Sequence, residues 1–384
     1  MRIGIDARCI ESHWPIGGPA RYLLNMLRFW PWMAPQHRYV LFFQNQLPRA
    51  DFLEQENTER VRIKGPRLLK RRRIVGEQLL MPFAIKNNKL DLFFTPWYSA
   101  PLVTFGVKTV VGAWDIACNT HPSHYKLSDL ISFGLFMPPS CRRAAGLLTC
   151  SQFDSSQIQK YYGIPAERIC VVPFAADDKF APSDDPEHLR AFRRKYGFPE
   201  RYILSMGGIT RRRNVDVLID AFMDIHEKYP DVGLVVVGRN ITVPFVDIEQ
   251  KMKPLIDGGS GFYLPRTPEE DIVDFYRAAW YYICTSTVDG ESLMVKEAMK
   301  CGTPAITSPL LKETVGGNAV ILEDPTDRRQ TAELLERVIA TPELRDQYAQ
   351  DGLRWVRTLS WEKVAEKSLR FIESRDEIRS TKWK

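Results

Sequence analysis

The stretch TSTVDGESLMVKEAMKCGTPAITS (Thr285–Ser308) follows the apolar run YYIC and decides how the chain is read. Two carboxylates, Asp289 and Glu297, stand eight positions apart across Gly290, with Glu291 between them. SLMVKEAMKCG reads as a helix with one apolar side, closed by a Gly-Thr-Pro turn, and PAITS reads as a short strand. A strand, a helix and a strand in that order form a parallel pair with a helical crossover.

The same alternation extends both ways. RYILSMGG (Arg201–Gly208), VGLVVVG (Val232–Gly238) and YYICTS (Tyr281–Ser286) read as strands, separated by the helical patterns NVDVLIDAFMDIHEKY and EEDIVDFYRAAW. Nearer the N-terminus the strand candidates are RIGID (Arg2–Asp6), RYVLFF (Arg38–Phe43), LDLFFT (Leu90–Thr95), KTVVGAW (Lys108–Trp114) and GLLTCS (Gly146–Ser151). Helical stretches such as RYLLNMLRFW fall between them, and the polar DDKFAPSDDPEHL parts the two series. At 384 residues the chain exceeds one ordinary core. We expect an α/β chain of two Rossmann-like, doubly wound parallel-sheet domains, 1–180 and 181–360, facing a central cleft. Ligands in such sheets sit beyond the carboxyl ends of the strands. The helices that close the chain could simply cap the second domain.

The composition, 44% hydrophobic and 26% charged, is that of an ordinary soluble globular protein. A net charge of +6 does not by itself indicate nucleic acid, and none is expected as a partner; it fits anionic phosphate ligands or an acidic membrane surface equally well. Seven cysteines are scattered singly with no CxxC pair, which reads as reduced thiols of a cytoplasmic protein rather than a disulfide or zinc framework. The opening MRIGIDARCI has no apolar signal region, and no eighteen apolar residues run together, so neither a cleavable signal nor a membrane span is expected.

MGGITRRRNVDVLIDAF ends a strand at Gly207 and Gly208, carries Arg211, Arg212 and Arg213 in a loop, and starts a helix at Asn214. Helix N-termini favour anions, glycines admit close backbone approach, and guanidinium groups grip phosphate bidentately. A diphosphate could be held there without metal; a solvated basic loop is the plain alternative. IGGPARY (Ile16–Tyr22) sets Gly17 and Gly18 between strand and helix on the first domain, which alone could be only a turn. Asp289 and Glu297 suit vicinal hydroxyls, since a carboxylate accepts two hydrogen bonds; Glu291 reads more as a surface acid.

Together these motifs resemble the retaining GT-B glycosyltransferases of glycosyltransferase family 4 over nearly the full length. DGESLMVKEAMKCGTP matches that family's Glu, seven residues, Glu-Ala-Met-x-x-Gly-x-Pro, with Asp289 in the first slot. GGITRRRN resembles its phosphate loop, with Arg213 at a lysine position and Gly208 where an arginine is usual. YLPRTPEEDIVDFYRAAW resembles the segment beside the nucleobase, around Arg266; GAWDIACNTHP resembles a His-Asp segment, with Trp114 for the histidine and Asp115 kept. Glu291 and Ser292 stand where Phe-Gly is common. LSWEKVAEKSLRF resembles a closing segment whose last helix, 361–384, returns to the N-terminal domain.

The resemblance implies a metal-independent, cofactor-free transfer of a hexose from a UDP- or GDP-sugar, with a lean to GDP-mannose, to a glycan or lipid-linked acceptor of a surface polysaccharide. It implies donor binding by Gly17, Gly18, Gly208, Arg212, Arg213, Arg266, Glu291, Ser292, Leu293 and Glu297, with catalytic roles for Asp289, Arg213 and Asp115. Trp114 would line an acceptor or sugar pocket. No Asp-x-Asp pair occurs, in keeping with the absence of a metal. A non-catalytic partner subunit and a nucleotide-sugar epimerase share the plan, whereas no GxGxxG follows a strand to support a dinucleotide oxidoreductase. Trp30, Trp32 and Met33, with Lys70, Arg71, Arg72 and Arg73, suggest peripheral contact with the inner membrane face; a core helix with a solvated basic face is the other reading.

Overall fold

Parallel strands buried on both faces read as unbroken apolar runs, and such runs form the middle of both sheets in a computed structural model of the chain. The structure describes residues 1–11, 17–48, 50–70 and 73–377. Arg71, Arg72 and Ile16 lie outside the described residues. Two compact units emerge: Met1–Pro122, Leu127–Phe174 and Trp361 onward form one, and Ala175–Ser360 with Ser123–Lys126 the other. Among the described residues no helix is long and apolar enough to cross a membrane.

The first unit holds β1 (Arg2–Asp6), β2 (Arg38–Phe43), β3 (Thr58–Arg62), β4 (Leu92–Thr95), β5 (Lys108–Gly112), β6 (Gly146–Thr149) and β7 (Ile169–Val171). They pair in parallel in the order β3-β2-β1-β4-β5-β6-β7. The second unit holds β8 (Arg201–Met206), β9 (Val232–Val237), β10 (Gly261–Leu264), β11 (Tyr281–Cys284), β12 (Ala305–Thr307) and β13 (Val320–Ile321), all parallel, in the order β10-β9-β8-β11-β12-β13. Strand order reverses between β1 and β4 in one sheet and between β8 and β11 in the other. Such switch points open a crevice at the carboxyl ends, where loops diverge to opposite faces. The predicted two-domain α/β architecture is the one observed. β3, β7, β10 and β13 are not among the strands expected from the sequence.

Six helices bear on function: α1 (Gly18–Met33), α2 (Arg73–Leu79), α3 (Met81–Asn87), α4 (Val215–Met223), α5 (Leu293–Lys300) and α6 (Trp361–Glu377). Helix α1 starts on Gly17 with Pro19 in its first turn, where a missing N–H costs nothing. Its inner face buries Tyr22, Leu23, Met26, Leu27 and Trp30. The Trp30 ring is fully buried, and its Nε1 donates to the Ala365 carbonyl of α6 at 2.9 Å. Trp30 therefore belongs to the core and not to a membrane-facing patch; of the three residues proposed for that patch, Trp32 is exposed.

Trp114 has a similar fate. Its ring packs on Tyr22 at 4.6 Å and Phe174 at 4.9 Å, in a cluster that reaches Trp361, and its Nε1 donates to Pro96 O at 2.6 Å. Gly112 makes room for it, because a Cβ there would sit 2.6 Å from the indole. A buried ionic group lies at the end of β1: the Arg8 guanidinium grips Asp6 at 2.7 and 2.8 Å and reaches Glu77 at 3.2 Å. Burial raises the Asp6 carboxyl, yet Arg8 and Arg73 pull it down to about 2. Burial also pushes the Glu77 carboxyl up.

Replacing Trp30 with Ala removes a buried indole from the α1–α6 seam and is expected to destabilise the first unit by about 3–5 kcal/mol. Urea unfolding followed by tryptophan fluorescence checks this, with Trp32→Ala, at an exposed site, shifting the midpoint little.

Candidate active site

Strand β8 ends at Met206, and the chain turns through Gly207 at φ 124°, a left-handed region that glycine alone enters freely. A Cβ on Gly207 would collide with Arg213 Nη1 and Met294 Sδ, and one on Gly238 would run into Gly207 O. Two bare backbones thus meet at the ends of β8 and β9, so that Arg213 can fold back over the strand end. Arg211–Arg213 form a single 3₁₀ turn, and Asn214, at φ 46°, hands the chain to α4.

That turn is fastened to the end of β11. Thr287 N donates to Arg212 O at 2.8 Å, Asn214 Nδ2 donates to Thr285 O at 3.0 Å, and Thr285 Oγ1 donates to Arg213 O. Side chains complete the join. Arg212 Nη1 lies 3.0 Å from Asp289 Oδ1, Arg213 Nη2 lies 3.8 Å from Oδ2, and Ser286 Oγ donates to Oδ2 at 3.4 Å. Arg212 also donates to Val288 O. Asp289 is only 8% exposed. Burial pushes its carboxyl up, and the Arg212 and Arg213 guanidiniums outweigh that, leaving it below the usual carboxylate range. The arginine loop and the acid loop are the two loops that leave the β8/β11 switch point.

Helix α5 begins after Ser292, and its first residue, Leu293, is buried. Met294 Sδ is 3.6 Å from Arg213 Nη1, and Glu297 follows three residues later, one turn along the same helix. Glu297 is 3% exposed and accepts from the Tyr276 hydroxyl at 2.9 Å. Tyr282 ties the set together: its hydroxyl donates to Met206 O at 3.1 Å, and Arg213, Glu297 and Asp289 all act on its phenol electrostatically. The structure therefore gathers Arg212, Arg213, Asp289, Ser292, Leu293 and Glu297 around one strand end of the second unit.

Other predicted residues fall elsewhere. Arg211 pairs with Asp216 in the first turn of α4 at 2.8 Å. Gly208 is exposed, and a Cβ there would meet only Ile241 at 3.7 Å, so its lack of a side chain is not a steric need. Arg266 is exposed just after β10. In the first unit, exposed Gly17 caps α1 and Gly18 opens it. Asp115 accepts from Ala117 N at 3.0 Å and from the Tyr98 hydroxyl at 3.3 Å.

Glu291 is not the surface acid expected. Its side chain is 2% exposed and forms an ion pair with Lys296, itself 1% exposed. Lys296 and Tyr276 were not anticipated. A lysine inside the apolar run SLMVKEAM was a visible signal, because it must find an anion if that face is buried. Tyr276 gave no signal, since it lies 21 residues before Glu297. Among the described residues no group of three His, Cys, Asp or Glu side chains is placed to hold a metal ion.

Two families match. The one described as "Glycosyl transferases group 1" spans residues 190–355, and "Glycosyltransferase Family 4" spans 16–180. The O-antigen chain mannosyltransferase B of Escherichia coli is 24% identical over 367 residues, covering 91% of this chain and 94% of that protein. Among solved structures, WaaG, a glycosyltransferase involved in lipopolysaccharide biosynthesis, superposes with a TM-score of 0.72 at 17% identity, over 97% of this chain and 99% of its own. Anabaena Alr3699/HepE, in complex with UDP and glucose, does so with a TM-score of 0.72 at 17% identity, over 97% and 100%. These likenesses establish the GT-B fold.

Asp289→Asn leaves two partly buried guanidiniums facing a neutral amide and is expected to cost about 3 kcal/mol near neutral pH. Because the folded carboxyl titrates below the unfolded one, its contribution is fully present above the unfolded value near ~4 and fades as pH falls through the lower folded value. Wild-type and variant stabilities should therefore converge in acid, as chemical denaturation at a series of pH values would read.

Proposed function

This chain belongs to the group 1 glycosyltransferases of family 4, and from that premise we propose that it builds a cell-surface polysaccharide or lipopolysaccharide. In this reading it moves a hexose, mannose by preference, from a nucleotide diphosphate sugar to a glycan or lipid-linked acceptor at the cytoplasmic face of the inner membrane. The carrying observation is the join between the arginine loop and α5, where Arg213 Nη1 lies 3.6 Å from the sulfur of Met294, which precedes Glu297 by one turn of the helix. Cationic and anionic groups at one strand end suit the two halves of such a donor. Arg212 and Arg213 would face the diphosphate, Glu297 the ribose hydroxyls and Asp289 the sugar.

Retention of configuration places the acceptor hydroxyl on the face the diphosphate leaves. The acceptor oxygen bonds to the anomeric carbon as the carbon–oxygen bond to the diphosphate breaks. The departing phosphate oxygen is then the nearest base for the acceptor proton. Negative charge grows on that leaving group, and guanidiniums already fixed by Asp289 need little reorganisation to meet it. The proposal needs no carboxylate nucleophile and no metal. The O-antigen mannosyltransferase relative supports mannose, and the structure of HepE with UDP and glucose supports a nucleotide-sugar donor.

Incubation with a panel of nucleotide sugars, watching diphosphate release, tests the reading: one donor is expected to be hydrolysed slowly without acceptor. Isomerised donor would point to an epimerase instead, and no nucleotide binding at all to a partner subunit. Glu297→Gln is expected to weaken nucleoside diphosphate binding about tenfold, because a ribose acceptor is lost. Arg213→Met is expected to lower turnover ~10²–10³-fold with a smaller change in donor affinity. Calorimetry and steady-state rates separate the two, and wild-type values in both variants would overturn the assignment.

A further inference from the structure

The first unit carries an apolar, basic surface that the donor site does not use. Residues 62–108 contain ten Lys and Arg against two acids, a net +8 in a chain whose total is +6. Of the two acids, Glu77 is buried and only Asp91 is exposed. Glu77 is 1% exposed and committed to Arg8, and Asp91 accepts from Arg2 N at 2.6 Å. Within the same segment Leu79, Phe83, Val103 and Phe105 are 51%, 59%, 55% and 49% exposed.

These side chains belong to one surface. The Phe83 and Phe105 rings lie 6.2 Å apart, and Lys86 Nζ stands 4.9 Å over the Phe105 ring. The loop that carries Val103 and Phe105 is docked on α2, since Gln78 accepts from Leu102 N at 3.0 Å and donates to Ala100 O at 3.2 Å. Phe105 sits at φ 52°, a conformation that a bulky aromatic rarely adopts, followed by Gly106 at φ 88°. A half-exposed phenylalanine held at a strained loop position contributes less to the fold than a buried one. Strain of this kind is retained where a ligand uses it.

We propose that this surface, centred on Phe83, Phe105 and Lys86, docks the protein on a bilayer rich in anionic phospholipid. The rings would enter the boundary between headgroups and acyl chains, while Lys86 extends along Phe105 to leave its ammonium among the phosphates. Charge complementarity favours the anionic bilayer: a polar protein partner would not cover the rings, and a neutral bilayer would leave Lys86, and exposed Lys89 just beyond the same helix, without a counter-charge. The inference deepens the reading of a lipid-linked acceptor, on which it rests for its purpose.

Co-sedimentation with vesicles of phosphatidylcholine alone, and of phosphatidylcholine with phosphatidylglycerol in equal parts, tests it on the full chain. Wild type is expected to partition at least about tenfold better onto the anionic vesicles and to be released by salt. The double variant Phe83→Ser, Phe105→Asn is expected to lose that binding at least about tenfold. Asparagine tolerates a positive φ, so the variant should melt no lower than wild type. Phe245→Ser, an exposed position in the second unit, serves as control and should bind as wild type. Diphosphate release measured without lipid should be the same for all three proteins. Vesicle binding with no activity toward any donor would sink the transferase reading and leave this one standing. Absent or charge-independent binding by wild type, or full binding by the double variant, would overturn it. So would a variant that turns a dimer into a monomer while wild type ignores vesicles, because the surface would then pair copies of this chain.

Discussion

The hydrogen bonds between the Arg211–Asn214 turn and the end of β11 are the constraint on which the second unit's candidate site depends. Backbone groups of Arg212 and Arg213 are satisfied there, so both side chains project from a fixed base onto Asp289. The arrangement needs a β8 end with no side chain at Gly207, and a β9 end with none at Gly238, since either Cβ would push the turn away. A compact, preorganised cationic site follows from two absent methyl groups. Its cost is a buried carboxylate, which the two guanidiniums offset.

Sequence patterns revealed the middle of each sheet and missed its margins. β3 and β7 are the edges of the first sheet, and β10 and β13 the edges of the second. An edge strand pairs on one side only and can be short or half-wet, so TERVR (Thr58–Arg62), with its mixed burial, lacks the apolar run that betrays β2 or β9. Inner strands were read slightly long for a related reason. In LDLFFT and KTVVGAW the apolar run outlasts the ladder, because flanking residues such as Leu90 and Trp114 are buried against other elements.

Side chains were legible where their partners stood nearby in the sequence or where the loop chemistry was local. Gly207, Arg212, Arg213 and Asp289 fall at strand ends that pattern alone located. Glu291 was misjudged because an acid beside a glycine reads as solvated until Lys296 is seen to turn back and neutralise it. Trp30 and Trp114 were misjudged for another reason. Trp30 stands near basic residues and looks interfacial, Trp114 falls where the family resemblance implies a sugar contact, and only the fold reveals that a carbonyl in α6 and one at Pro96 satisfy the two indoles. Hydrophobic periodicity carries no record of partners that lie far along the chain.

The bond from Trp30 to Ala365 joins residues 335 positions apart. Synthesis runs from the N-terminus, so the half that leaves the ribosome first cannot close its aromatic cluster until the final helix has been made. The second unit, whose elements are continuous from Ala175 to Ser360 apart from one short segment, meets no such delay. During translation the order of completion is therefore inverted. A nascent chain stalled just short of Trp361 would carry a finished second unit and an N-terminal half with its seam still open to chaperones and proteases.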